Sequence, residues 1–308
     1  GAGATASAAA PGAPGGGGGA TAAAAAAGAT GFAVFPGDSQ LLVGVNFGAL
    51  RASPMWAKSK DQVEAGLPPE LKALKAECGF DPVSELQTVI FAGSPQKEEA
   101  VLVVKGLKRA TIKTCIDKMA AKGEKVSVTE EGNIASFNFD GEPATGAWMD
   151  DTTLVLAPKK DKAYVEARLA GTSGLADTSP LMGLLKSVDT SASIYFVADL
   201  TGAGALPVPG AKGAFGSLKI SDGLALDAGG RFDTADNAKG AHTMATQGLA
   251  MVKQKMPPLA KYADKAKLSQ KDNDVILQLS LSEAELTELQ GMMQGMAGML
   301  GGGMGGGL

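Results

Sequence analysis

The feature that most constrains this chain is a unit written twice. Residues 99–121, EAVLVVKGLKRATIKTCIDKMAA, read as a strand, a tight link ending at Gly106 and an amphipathic helix. In that helix Ile112, Cys115, Ile116 and Met119 fall at i, i+3, i+4 and i+7, one apolar stripe that needs a sheet to cover it. Residues 223–252 repeat the unit in degraded form, and their helix carries Ala241, Met244, Ala245, Leu249 and Val252 along one side. A second pair of segments aligns the same way: TLVLAPKKDKAYVEARL with VILQLSLSEAELTELQ, each a strand followed by a capped helix. Identity between the copies is low, so periodicity carries the duplication. The fold class this predicts is α+β: two pseudo-repeated units of antiparallel sheet, with helices packed on one face.

Local signals place the boundaries. Residues 1–31 are almost wholly Gly, Ala, Ser, Thr and Pro and cannot bury enough surface to offset their ordering entropy, which predicts a disordered tether. The first unit spans 32–172 and the second 173–291, followed by a Gly/Met-rich tail at 292–308. Leu41, Val43, Val45 and Phe47 alternate as one face of a strand. Ser53-Pro54, Asp81-Pro82 and Ser179-Pro180 each offer a cap with proline at the first helical position, the last opening a helix expected to reach Val188. Pro257-Pro258 reads as the stop of the helix over 234–256, and Ser282 with Glu285 as a capping box for the last helix.

Charge and cysteine usage narrow the function classes. The 308 residues carry a net charge of −4 with no basic run, so there is no electrostatic footprint for nucleic acid and no polybasic patch for an anionic membrane. No apolar run approaches the roughly 20 residues that cross a bilayer. The tether suits the spacer of an exported protein whose signal has been removed, held to a membrane only through an N-terminal anchor that this sequence lacks. The expected location is the periplasm, the outer membrane surface or the extracellular space. In such a compartment the only two cysteines, Cys78 and Cys115, favour a disulfide; two buried thiols that never meet are the alternative.

Catalytic chemistry finds little to build on. The single histidine, His242, lies in a helix with no carboxylate or cysteine nearby in sequence, so neither a Ser-His-Asp nor a metal scheme assembles around it. Glu130-Glu131, Asp150-Asp151 and Asp272 with Asp274 sit at hairpin turns, where acidic side chains are turn formers before they are acid–base pairs. Gly202, Gly204, Gly213 and Gly216 lack the strand–loop–helix setting of a phosphate site. Met292, Met293, Met296 and Met299 offer thioethers to Cu(I) or simply a low-complexity tail. No cofactor, metal site or catalytic residue is predicted.

The runs FPGDSQLLVGVNFGALRASPMW, ECGFDPVSELQTVIFAG and VLVVKG resemble uncharacterised exported proteins, often predicted lipoproteins, of high-GC Gram-negative bacteria of the myxobacterial kind. That resemblance implies a duplicated α+β fold in the cell envelope with no assigned activity. The expected function is non-enzymatic: binding a protein partner or a hydrophobic, lipid-like ligand held between sheet and helices. A structural subunit of a surface assembly, and hence an oligomer, is the alternative, and a carboxylate-based enzyme a remoter one.

Overall fold

A computed structural model of the chain describes residues 31–67, 69–171, 174–202 and 208–301. The expected tether, Gly31 apart, lies outside them, as do the 172/173 boundary and the end of the Gly/Met tail. The first unit contributes β1 (Leu41–Asn46), β2 (Thr88–Ser94), β3 (Glu99–Lys105), β4 (Val126–Glu131), β5 (Ile134–Phe139), β6 (Glu142–Asp150) and β7 (Thr153–Pro158). The second contributes β8 (Ile194–Asp199), β9 (Ala211–Ile220), β10 (Gly223–Phe232), β11 (Lys267–Lys271) and β12 (Asp274–Ser282). All pair antiparallel in one twelve-stranded sheet, ordered β11-β12-β10-β9-β8-β1-β2-β3-β7-β6-β5-β4.

That order contains the duplication. Outward from the β8–β1 pair, the second unit runs β8-β9-β10-β12-β11 and the first runs β1-β2-β3-β7-β6, with β5-β4 as an added hairpin. In each, three strands meander, a crossover helix follows, and the last strand returns to lie beside the third. The crossover helices are α5 (Arg109–Ala121) and α8 (Ala235–Lys255), so the two sequence copies occupy equivalent places. The strand–helix pairs β7 with α6 (Lys162–Leu169) and β12 with α10 (Glu283–Gly301) correspond likewise. At Gly106 the link between β3 and α5 takes φ +98°, a left-handed conformation that glycine adopts without strain.

Both crossover helices pack on the same sheet face. Ile116 of α5 sits on Ala135, Phe137, Ala144, Trp148 and Leu154, and Ala238 of α8 on Phe232 and Val275. The centre of the opposite face is closed by α6, by α7 (Pro180–Leu185) and by a 3-10 turn at Gly31–Val34. Leu154 and Val155 make the two-sided cover plain: they are successive on β7, buried in different clusters, and 4% and 0% exposed. On β3 the apolar run VLVV is continuous but its burial alternates, Val101 and Val103 being buried and Leu102 and Val104 partly covered.

The first unit also carries an insert between β1 and β2: α1 (Phe47–Arg51), α2 (Pro54–Gly66), α3 (Pro69–Cys78) and α4 (Pro82–Glu85). Cys78, the last residue of α3, is disulfide-bonded to Cys115 of α5, with Cα atoms 4.7 Å apart. Cys115 is 2% exposed, and α8 has no cysteine in its place. At its other end the insert reaches the second unit, where Met55 N donates to Ser221 O at 3.2 Å and Lys58 pairs with Glu283. Among the described residues no helix is long and apolar enough to cross a membrane.

Two local expectations are corrected. Pro257-Pro258 does more than stop α8: it opens a second helix, α9 (Pro257–Lys265), with Met256 ending one and capping the next. Proline fits there because the first N–H groups of a helix have no intrahelical acceptor to lose. The helix after Ser179 ends at Leu185, not Val188, because Ser187 N and Val188 N fold back onto Leu184 O and Leu185 O. The last helix, α10, begins directly after Ser282. Its capping box forms as expected: Ser282 N donates to Glu285 at 2.9 Å, and Lys265 and Ser282 hold that carboxyl down at about 2.

The disulfide closes a loop of 37 residues' separation, so Cys78→Ser is expected to lose about 2–4 kcal/mol of unfolding free energy in urea. Intact-mass analysis after alkylation without reduction is expected to find no free thiol. Two alkylated cysteines would refute the bond.

Candidate functional site

The site is a cleft in the middle of the sheet, built on one glycine. Tyr195 of β8, Gly44 of β1, Ile90 of β2 and Val103 of β3 stand in one register rung on the face opposite α5 and α8. Gly44 has an ordinary extended backbone; what it supplies is space. A Cβ there would lie 2.1 Å from the Tyr195 ring, which instead lies flat across the strand. The next rung, Asn46–Thr88–Lys105, forms the rim at the strand ends.

The roof is α7 and the 3-10 turn. Ser179 caps α7 by accepting from Met182 N at 3.2 Å, and Pro180 pre-sets the first turn. Leu181, Leu184 and Leu185 then turn inward and are buried. Leu175 N donates to Phe35 O at 2.9 Å, and Pro36 bridges Gly174, so the 3-10 turn is tied to the segment leading into α7. Between floor and roof lies a cavity of about 640 Å³, within the range of small-molecule sites. Its walls are Phe32, Phe35, Ile90, Val103, Met182 and Leu185; Lys105, Asp177, Lys186 and Thr190 line it as well.

Tyr195 is the polar group inside. The residue is 3% exposed, and its hydroxyl, which makes no hydrogen bond among the described residues, faces the cleft. Burial pushes the phenol up to about 12, so it stays a neutral donor across the physiological range. These groups can form a binding pocket.

The residues singled out in the sequence lie elsewhere. Cys78 and Cys115 are joined on the far face and make a brace between helices. His242 is half-buried on α8. The acidic turn residues serve the turns. Glu130 accepts from Arg109 at 3.1 Å, Glu131 pairs with Lys162 at 2.7 Å, and Asp150 accepts from Thr152 N at 2.7 Å. Asp274 pairs with Arg231 at 2.8 Å, and Asp272 holds φ +52°. Gly213 and Gly216 are in β9, packed against Leu184 and Phe196; Gly204 and the methionines at 293, 296 and 299 lie outside the described side chains. Among the described residues no cluster of His, Cys, Asp and Glu could hold a metal. Sequence pattern does not single out Tyr195, Lys105 or Lys186. The one signal for the cleft is a lone glycine inside the strand LLVGVNF, which marks a close approach by another group.

No protein-family model matches this chain, and no curated protein sequence does. Solved structures do. The chain is similar to crystal form III of TP0453, with TM-score 0.53 and 9% identity over 83% of this chain and 95% of that one. It is similar to crystal form I of TP0453, with TM-score 0.52 and 10% identity over 84% and 96%. At such identity the likeness shows the α+β fold alone.

Two measurements check the floor. Gly44→Ala drives a methyl into the Tyr195 ring and is expected to cost about 1–3 kcal/mol in chemical denaturation. Of the three phenols, the one ionising near pH 12 should vanish in Tyr195→Phe when absorbance is followed on raising the pH. The folded state keeps that proton where the unfolded chain, with a phenol near 10, gives it up. Its contribution to stability is therefore complete below about pH 10 and lost as pH rises from there toward 12. If Tyr195→Phe loses no high-pH ionisation, the Tyr195 phenol is solvated.

Proposed function

We propose that this is a non-enzymatic binding protein of an exported or envelope compartment, and that its ligand is apolar and occupies the cleft over Gly44 and Tyr195. The observation that carries this is the cleft itself: about 640 Å³ between sheet and roof, walled mainly by apolar side chains, with the Tyr195 phenol inside and two lysines among its lining. Burying an alkyl chain there is favourable by about 0.8 kcal/mol per methylene removed from water. The compartment is supported by the Cys78–Cys115 disulfide, a bond that persists where the surroundings are oxidising. The non-enzymatic character is supported by the use of the acidic turn residues in caps and ion pairs and by the position of His242 away from the cleft.

Native mass spectrometry and solvent extraction of the purified protein are expected to find one apolar molecule per chain. An environment-sensitive dye should bind at one site and be displaced by it. Val188→Trp, which fills the cleft from a half-buried roof position, should weaken dye binding about tenfold or more while the thermal midpoint stays near wild type. A wild-type protein that carries no ligand and takes up no dye would sink the proposal.

A further inference from the structure

Three hydrogen-bond donors that line the cleft have no protein acceptor among the described residues. Tyr195 is one: its ring is buried to 3% exposure and its hydroxyl is unpartnered. Lys105 is the second. It ends β3 on the rim rung, two residues beyond Val103 on the same face. Lys186 is the third, directly after Leu185 on the roof. Neither lysine makes an ion pair among the described residues, although many lysines of this chain do, as Lys97, Lys162 and Lys265 show. Among the charged residues that line the cleft the two lysines outnumber the one carboxylate, Asp177, in a chain whose net charge is −4.

The size of the cleft bears on the tail of the ligand. A methylene fills about as much space as a water molecule, roughly 30 Å³. One chain of about 16 carbons then takes about 480 Å³ and two take about 960 Å³. A volume of about 640 Å³ accommodates one such chain with room for a head group.

Resting on the apolar-ligand reading above, we propose that the ligand is a single-chain amphiphile with a carboxylate head. Its chain lies against Phe35, Ile90, Val103 and Leu185. Its carboxylate accepts from the Tyr195 hydroxyl and faces the Lys105 and Lys186 ammonium groups. A monoanion suits a cleft lined by more lysine than carboxylate, and the neutral hydroxyl gains an acceptor that no protein group supplies.

Calorimetric titration with three probes of one chain length tests this: dodecanoate, dodecan-1-ol and dodecylamine, each below its aggregation threshold. Dodecanoate is expected to bind about tenfold tighter than the alcohol at low salt, with the gap shrinking as salt is added, and the amine weakest. Lys105→Gln with Lys186→Gln should bring dodecanoate to the level of the alcohol and leave the alcohol unchanged. Tyr195→Phe should weaken dodecanoate several-fold more than dodecan-1-ol. Equal binding of acid and alcohol by the wild type would overturn the head-group assignment and leave the apolar cleft standing. Binding of none of the three would overturn both.

Discussion

The structure depends on the pairing of β1 with β8. These two strands open their respective units, and their antiparallel register, Leu41↔Ala198 through Val45↔Ile194, turns two five-strand patterns into one sheet. Gly44 and Tyr195 face each other within that register, so the seam between units is also the floor of the cleft. A one-residue slip would send the Tyr195 ring to the other face and bring a different side chain over Gly44. Continuity of the sheet and existence of the pocket are therefore one constraint, satisfied by the absence of a single Cβ.

The two faces of the sheet divide the remaining work. On one, α5 and α8 cover equivalent regions of the two units, and the disulfide fastens α3 to α5. On the other, α7 and the 3-10 turn stand over the central strands and leave the space beneath them open. The units are alike in topology and unlike in detail. The insert α1–α4 and the β4–β5 hairpin belong to the first alone, and so does the cysteine pair.

Much of the fold was legible because it is written in short-range pattern. The stripe Ile112, Cys115, Ile116 and Met119 needs only a period of 3.6 to be seen, and α8 echoes it with the same period. Ser179, Asp81 and Ser282 announced their helices through capping chemistry that acts within four residues. Pro257-Pro258 misled because proline both ends one helix and begins another, and the sequence carries no mark for which it will do. The cleft was hidden for a different reason. Gly44 and Tyr195 lie 151 positions apart (195 − 44), and Lys105 and Lys186 line one cleft only once register and roof are in place. No motif spacing encodes such a meeting, and a lone glycine in a strand says that something approaches, not what.

Two separate sheets of this topology would expose four edges, each a row of unpaired amides and carbonyls open to a neighbouring chain. Joining them at β1 and β8 leaves two, β11 and β4. Both carry charge along their length: Lys267 and Lys271 on β11, Glu130 and Glu131 on β4. Charged side chains along an edge are costly to bury beneath a neighbouring strand. The duplication thus hides half of the sheet's borders inside the molecule.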